Sequence, residues 1–370
     1  MNANLSSGLL AVALLALLAA PAMADTVKPW QGARTVVKAR HLAPAMRKGG
    51  DYWDKYTFNA NLGEKGTFYF SLAIGDPLSA DKKLDCKGRL TFEDKTYRWD
   101  NDFRESAWSH TSGDTSRITA GRASLESDGE KLTFRNETDG MSYEFEFTPI
   151  ARHWRPKSGQ IQFGADKNAY DVTLFPLMQV KGKVKLAGGE WTPVDGRGFG
   201  SHVWGDLAPY DMFRWSLEFR GLSGDYTVYL RELGTTVEFG QTRIPYLLIT
   251  KGKDVLVESF DFQFAPTEVT TDEVHENKYK VPHSFTLIGK DAEDPTRQFR
   301  AVVKMKKQNK RKDYLEGLNV MTKGIAARFS KPVLYDYDTD FTFEVKTSTG
   351  LERIVQGVDL GRLEINWLNQ

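Results

Sequence analysis

Residues 68–77 read Phe-Tyr-Phe-Ser-Leu-Ala-Ile-Gly-Asp-Pro, and this stretch decides the fold class. Phe68, Phe70, Leu72 and Ile74 alternate with smaller or more polar residues before the chain reaches Gly75-Asp76-Pro77. Because successive side chains of a β-strand point to opposite faces, a period of two places the four apolar residues on one face. Gly, Asp and Pro favour a turn directly afterwards. The stretch therefore predicts a half-buried strand that ends in a turn.

The same alternation recurs along the rest of the chain, with the polar partners expected to face water. The apolar positions of the further runs are Tyr143, Phe145 and Phe147; Trp215, Leu217 and Phe219; Phe260, Phe262 and Phe264; Phe341, Phe343 and Val345; and Leu363, Ile365 and Trp367. Turn signals such as Ser127-Asp128-Gly129 and Ser223-Gly224-Asp225 separate the runs. Many short strands at this spacing predict an all-β protein built of antiparallel sandwiches or barrels.

The length of 370 residues suggests two domains. The strand pattern is interrupted near Gly188-Gly189 and Pro193, so the expected domains are residues 25–193 and 194–370. Each is long enough for one barrel of roughly eight to ten strands. The apolar residues between Asp313 and Ser330 are spaced at intervals of three and four, which predicts a short helix there.

The first 24 residues have the features of a secretory signal. An apolar run from Leu9 to Ala20 is followed by Pro21 and by the small-residue box Ala22-Met23-Ala24. The run is shorter than the roughly 20 residues that a membrane-spanning helix requires. We therefore expect cleavage after Ala24 and a periplasmic or secreted mature protein.

Charge and composition exclude several function classes. A formal charge of +1 gives no overall field that would attract nucleic acid. Cys86 is the sole cysteine, so no intramolecular disulfide can form, and the simplest interpretation is that it is a buried residue of apolar character.

The six histidines form no locally spaced pair, and we expect neither a metal site nor a cofactor. The basic cluster from Lys304 to Lys312 fits either a contact with anionic lipid or a solvated hairpin, the simpler interpretation.

One segment, Gly196–Trp215, concentrates residues that could bind or react. On a strand, His202 and Trp204 share a face, and a polar group beside indole rings could hold the head of an apolar ligand. The candidate ligand-binding residues are His202, Trp204, Arg214 and Trp215. If the protein is an enzyme, His202 would be the general acid or base, and Asp206 or Asp211 would orient it. The alternative is a structural corner in which His202 is simply hydrogen-bonded in the core.

The same segment resembles the survival factor 1-like family of fungi. The matching positions are His202, Gly205, Pro209, Arg214 and Trp215, and Gly66–Phe70 and Leu174–Gly182 resemble two further strands of that family. Ser201-His202-Val203-Trp204-Gly205 is also similar to the central motif of the hydroxyneurosporene synthase group. The resemblance implies two lipocalin-like antiparallel β-barrels in tandem that handle a hydrophobic ligand, sphingolipid-like or isoprenoid.

Three hypotheses follow. The first is an exported lipid-binding or lipid-shuttling protein, which shelters an acyl, sphingolipid-like or isoprenoid chain because exposure to water costs about 0.8 kcal/mol per methylene. The second is an isomerase, hydratase or cyclase that moves a proton on such a substrate. The third is a structural envelope protein that presents aromatic side chains to a partner. The first two require a hydrophobic lumen with room for a ligand, and we expect a monomer with transient membrane contact.

Overall fold

The computed structural model describes residues 26–48, 51–76, 79–138, 140–328, 330–356 and 360–369, so the expected signal sequence lies outside the described residues. Nearly all of the regular secondary structure in these residues is β-strand. The strands are β1 (Val27–Pro29), β2 (Trp53–Asn61), β3 (Gly66–Asp76), β4 (Ser79–Phe92), β5 (Lys95–Phe103), β6 (Trp108–Thr111), β7 (Ser116–Ala120), β8 (Ala123–Ser127), β9 (Leu132–Glu137), β10 (Met141–Pro149), β11 (Gln160–Phe163), β12 (Asn168–Leu186), β13 (Trp191–Gly205), β14 (Phe213–Ser223), β15 (Tyr226–Thr235), β16 (Arg243–Lys251), β17 (Asp254–Ser259), β18 (Phe262–Thr271), β19 (Lys280–Lys290), β20 (Gln298–Asp313), β21 (Val333–Thr347), β22 (Gly350–Val355) and β23 (Gly361–Trp367). Two short α-helices are present, α1 (Pro209–Met212) and α2 (Val320–Ala326), together with 3-10 turns at Ala39–Leu42, Gly63–Lys65 and Glu105–Ala107.

The strands form two antiparallel sheets that follow each other along the chain. Strands β1–β13 make the first sheet, in the main order β5-β4-β3-β2-β13-β12-β10-β9-β8-β7-β6. Strands β14–β23 make the second, in the main order β17-β16-β15-β14-β23-β21-β20-β19-β18. The sheets curl to different extents, one into a nearly closed barrel and the other into a half-barrel. We call them the N-terminal and the C-terminal barrel, and they confirm the predicted all-β fold class.

The change from one barrel to the next lies later in the sequence than expected. The boundary expected between residues 193 and 194 falls inside the β12–β13 hairpin, where Lys183 pairs with Pro193. Gly188 has a φ of +71°, so Gly188-Gly189 forms the turn of that hairpin rather than a linker between domains. The chain passes to the second sheet between Gly205 and Phe213, through α1.

Apolar and polar side chains alternate along the strands, as the sequence predicts, and the apolar ones form the cores of the barrels. Phe68, Phe70, Leu72 and Ile74 are all buried inside the N-terminal barrel, and so is Cys86. The C-terminal barrel has a core of its own, which includes Phe219, Phe341 and Phe343. Burial raises the pKa of the Cys86 thiol to about 11, so the thiol stays protonated and unreactive at neutral pH.

A third core joins the outer faces of the two barrels. Tyr170, Val172 and Val203 of the N-terminal barrel meet Phe213 and Tyr246 of the C-terminal barrel. Rings pack edge to face across this contact, for example Tyr170 on Phe213 with centroids 4.9 Å apart. The two barrels are therefore held together by an apolar interface.

The expected helix over residues 313–330 is only partly correct. Residues up to Asp313 continue β20, and the helix begins at Val320. Gly317 has a φ of +86°, which an α-helix does not allow, so the chain turns there. Asn319 then caps α2, and its side-chain oxygen accepts a hydrogen bond from the Thr322 amide at 2.9 Å. Within the described residues, no helix has the length and apolar character needed to cross a membrane.

Candidate functional site

His202, the central candidate from the sequence, lies at the inner face of the N-terminal barrel and is almost completely buried. It pairs with Tyr56 across β2 and β13, and the two rings stack with centroids 4.0 Å apart. The Nε2 atom lies 2.7 Å from Oδ1 of Asp54, and Nδ1 lies 2.7 Å from the carbonyl oxygen of His41. Both ring nitrogens therefore face acceptors.

This environment favours the doubly protonated imidazolium. Burial lowers the pKa of His202, but the charge and hydrogen bond of Asp54 outweigh it and raise the pKa above its ordinary value. A ring that donates from both nitrogens has no lone pair with which to accept a proton. The geometry thus makes His202 half of a buried ion pair, which fits the structural alternative better than a general base.

The ion pair belongs to a network that holds the segment 37–46 across one end of the N-terminal barrel. The Tyr56 hydroxyl donates to the carbonyl of Leu42 at 3.0 Å. Oδ2 of Asp54 accepts from the amide of Ala45 at 3.1 Å and from the Tyr52 hydroxyl at 2.9 Å. Because Leu42 is itself part of the barrel core, these bonds keep that end of the barrel closed.

The other residues that the sequence singled out are not brought together. Trp204 shares the inner face with His202, as expected, and packs on the core of the N-terminal barrel. Trp215 packs instead on the core of the C-terminal barrel, beside Trp367 at 6.0 Å. The backbone carbonyl of Arg214 accepts hydrogen bonds from the amides of Leu368 and Asn369, just after the end of β23.

Asp206 does not orient His202. Its carboxylate forms an ion pair with Arg47 at 3.0 Å and accepts a hydrogen bond from the amide of Ala169 at 2.9 Å. The carboxylate on His202 is that of Asp54, which the sequence analysis did not consider. The two residues are 148 positions apart, so no local motif could reveal the pair.

The core of the N-terminal barrel is filled with aromatic rings. Phe58, Phe134, Phe145 and Phe147 are fully buried, and Phe58 meets Phe134 at a centroid distance of 4.7 Å. Glycines let the backbone approach these rings: a Cβ on Gly200 would lie 2.2 Å from the Phe58 ring. The expectation of a hydrophobic lumen with room for a ligand is therefore wrong for this packed core, where a ligand would have to displace buried side chains.

Polar side chains converge instead between the barrels, beside the apolar interface. We call this place the inter-barrel cleft. One wall comes from β2 and β13 and the facing wall from β14, β15 and β23, and its polar and aromatic residues are Lys55, Thr57, Asn59, Phe199 and Ser201 on the first wall and Glu218, Arg220, Tyr229, Arg231 and Glu364 on the second. From the alternation along β14, Glu218 and Arg220 are expected to face water, and this prediction is wrong because the other barrel covers them.

The charges in the cleft form one network. The Arg220 guanidinium contacts the Glu218 carboxylate directly and lies 3.8 Å from Glu364. Arg231 approaches the second oxygen of Glu218 at 3.6 Å. Arg220 also lies over the ring of Phe199 on the opposite wall, 4.2 Å from its centroid, so a cation–π contact bridges the two barrels.

The two carboxyl groups of the network differ in acidity. Burial raises the pKa of Glu218, but the positive charges of Arg220 and Arg231 lower it further, so the net shift is downward. For Glu364, burial and the nearby negative charge of Glu218 outweigh Arg220, and its pKa is raised. Burial in the cleft also lowers the pKa of Lys55. Glu218 is therefore a stable carboxylate, and Glu364 binds a proton more readily.

Two small cavities adjoin this network. One, of about 20 Å³, lies among Thr57, Pro176, Phe199, Glu218 and Arg220. The other, of about 10 Å³, is bounded by apolar side chains that include Leu222 and Val228. Each has room for about one water molecule, so the cleft combines polar groups with apolar walls but is nearly closed.

A larger, shallow cavity of about 550 Å³ lies outside the cleft, on the C-terminal barrel. It is bordered by Phe262, Ile288, Arg300, Glu344 and Leu351. It has an open shape and no buried charged network. Among the described residues, no group of three or more His, Cys, Asp or Glu side chains is arranged to hold a metal ion.

Comparisons with known proteins agree with the architecture. The chain is similar to the crystal structures of CghA, alone and with Sch210972, at TM-scores of 0.60 and 0.59 and 8% identity, over 94% of this chain and 96% of CghA. It is also similar to an ATTH-type protein from Nitrosomonas europaea, at a TM-score of 0.51 and 12% identity, over 91% of this chain and 98% of that one. These likenesses confirm the tandem lipocalin-like fold. A comparison with curated protein sequences finds no significant match.

The family of the chain is assigned from its sequence rather than from its fold. The model of the Svf1 family matches residues 89–360, which is well over half of the chain and includes strands of both barrels and most of the inter-barrel cleft. This match confirms the resemblance to that family. The chain therefore belongs to the Svf1 family.

Proposed function

We propose that this protein binds a hydrophobic ligand with an anionic or strongly polar head group, and that the head group lies in the inter-barrel cleft. The observation that carries the proposal is the pair of arginines, Arg220 and Arg231, held largely buried beside apolar walls. With Lys55 they bring three cations against the carboxyls of Glu218 and Glu364, of which Glu364 has a raised pKa. An anionic head would complete the charge balance.

The filled core favours the cleft over the barrel interior as the ligand site. A cavity for one drug-sized ligand is typically about 300–1,000 Å³, far above the volumes at the cleft in this state. Binding therefore requires the two walls to separate, with Phe199 leaving the Arg220 guanidinium. Separating two walls at a domain interface costs less than removing packed rings from a barrel core.

The family and the fold support a hydrophobic ligand. One similar structure, that of CghA, was determined with Sch210972. The survival factor 1-like resemblance of the sequence implies a hydrophobic ligand. Together with the apolar side chains of Pro176, Leu222 and Val228 around the cleft, this favours a molecule with an apolar chain and one polar end.

A binding titration tests the proposal. The probe is a fluorescent fatty acid with a free carboxylate, added to protein from which bound lipid has been extracted. We expect saturable binding that Arg220→Gln weakens by roughly tenfold or more, because a charge-assisted contact is lost. Arg353→Gln, which changes an exposed arginine of the same barrel, is the control and should bind like the parent. Absence of saturable binding, or equal loss in both variants, would contradict the proposal.

A second candidate function is proton transfer on such a ligand, as in a hydratase or isomerase. One observation favours it: the pKa of Glu218 is lowered and the pKa of Glu364 is raised. In enzymes, two titratable groups whose pKa values are shifted apart commonly serve as the acid and the base. Glu364 would be the acid and Glu218 the base. Envelope lipid extracts incubated with protein in deuterated water, followed by mass spectrometry, would reveal a product. Glu364→Gln should lower its rate by roughly 10²–10⁴-fold and keep probe binding.

Export is also part of the proposal. The apolar run Leu9–Ala20 and the box Ala22-Met23-Ala24 support cleavage by a signal peptidase and a periplasmic or secreted location. The test is the mass and N-terminal sequence of protein recovered from the envelope fraction, which should begin at Asp25. We propose a monomer, and sedimentation at several concentrations checks this.

A further inference from the structure

The connection between β20 and β21 presents apolar side chains to water. No residue of α2 is buried, and Val320, Met321 and Ile325 are 90%, 77% and 55% exposed. Leu318 precedes them and is also exposed. A helix of a globular protein normally packs its apolar side chains on a core, so an exposed group of this size marks a contact surface. We call Leu318, Val320, Met321 and Ile325 the α2 patch.

Basic side chains surround the α2 patch. Residues 310–331 contain six basic residues against two acidic ones, Asp313 and Glu316, and the basic ones are Lys310, Arg311, Lys312, Lys323, Arg328 and Lys331. Arg311 pairs with Asp272 and Lys331 with Glu276. Lys310 and Lys323 are exposed and have no ion pair within the described ranges. The segment that carries the patch therefore combines exposed apolar side chains with an excess of basic residues.

The stretch of chain that leads into the patch lies near residues of the inter-barrel cleft. Tyr314, four residues before Leu318, is within electrostatic reach of Glu364 in the cleft and of Tyr69 on the N-terminal barrel. On the outer face of the C-terminal sheet, Glu364 lies opposite Asp336 on the neighbouring strand, and Asp336 lies opposite Lys310 on the next strand. One cross-strand row thus connects the cleft to Lys310.

We propose that the α2 patch docks the protein on an anionic lipid surface, with Val320, Met321 and Ile325 in the interfacial layer. The basic residues favour an anionic lipid surface as the partner, because such a surface offers phosphates to the lysines and acyl chains to the apolar side chains. A short helix with few apolar residues gives weak, reversible attachment rather than permanent anchoring. The proposal does not depend on a ligand in the cleft, because it concerns a different surface.

Co-sedimentation of the purified protein with vesicles tests the proposal. The vesicles are phosphatidylcholine with and without phosphatidylglycerol. We expect binding only when the anionic lipid is present, and weaker binding at high salt, since screening reduces the attraction. Met321→Asp with Ile325→Asp, and separately Lys310→Ser with Lys323→Ser, should each lower the bound fraction by about tenfold.

The control is Leu351→Asp, an exposed apolar residue of β22 at the opposite end of β21 from α2, which should bind like the parent. All changed side chains are exposed, so the variants should fold, and circular dichroism checks this. No binding to anionic vesicles, or binding that the α2 variants leave unchanged, would overturn the proposal. So would a dimer in sedimentation that Ile325→Asp dissociates, because the patch would then be an interface between copies.

Discussion

Glu218 and Glu364 lie directly opposite each other on neighbouring strands, β14 and β23, and the Arg220 guanidinium contacts Glu218 and lies 3.8 Å from Glu364. Two carboxylates in this position repel each other unless a cation or a proton intervenes. The sheet accommodates the pair because Arg231 and Arg220 hold Glu218 as a carboxylate, while Glu364 keeps a raised pKa. The buried charges of the cleft therefore lower the stability of the folded protein.

The pH dependence of stability should differ between the two glutamates. Glu364 holds its proton to higher pH in the folded state than in the unfolded state, so the free energy of unfolding falls as pH rises from about 4.3 toward its raised pKa. Glu364→Gln should remove that fall. Glu218 has a lowered pKa, so its stabilising effect is present above about 4.3 and is lost as pH falls, and Glu218→Gln should remove that loss instead. Urea unfolding from pH 3 to 8 measures both, and identical profiles for the two variants would contradict the assignment.

Breaking the buried pair of His202 and Asp54 should be costly. Asp54→Ala leaves an unpaired buried imidazolium and frees the amide of Ala45, and we expect a loss of about 3–5 kcal/mol in the free energy of unfolding. Denaturant unfolding measures the loss. A change below about 1 kcal/mol, the usual value for an exposed pair, would mean that the pair is not buried in solution.

The glycines of β13 should resist substitution. Gly200→Ala places a methyl group against the Phe58 ring and the Thr57 carbonyl, so we expect a loss of about 1–3 kcal/mol from overpacking. Gly113→Ala, in a turn with open space around it, serves as the control. Thermal unfolding of the two variants compares them, and equal melting temperatures would contradict the close packing at Gly200.

Much of the fold follows from the sequence, and the site follows much less. Alternation at Phe68–Ile74 and the shared face of His202 and Trp204 depend only on the geometry of one strand, so they could be predicted. Period two does not reveal what covers the second face of a strand, which is why Glu218 and Arg220 were expected to meet water. The pairing of Asp54 with His202, and the position of the barrel boundary, depend on which strands become neighbours, and no short motif encodes that.

The filled core should behave as structure rather than as a ligand site. Phe134→Ala removes a fully buried ring, and we expect a loss of about 3–5 kcal/mol in stability. Affinity for the fluorescent fatty acid should stay within about twofold of the parent, because the ring belongs to the barrel core and does not line the cleft. Titration and denaturant unfolding of the same preparation measure both quantities. A large gain or loss of affinity would instead indicate that the ligand enters the barrel.

Photo-crosslinking locates the bound ligand in the protein. A fatty acid with a diazirine on its chain is bound to the delipidated protein and irradiated, and the modified residues are identified by mass spectrometry of peptides. The account predicts modification of the cleft walls, at Pro176, Phe199, Leu222 or Val228, and its loss in Arg220→Gln. Modification concentrated on the core rings Phe134, Phe145 and Phe147, unchanged in that variant, would contradict it.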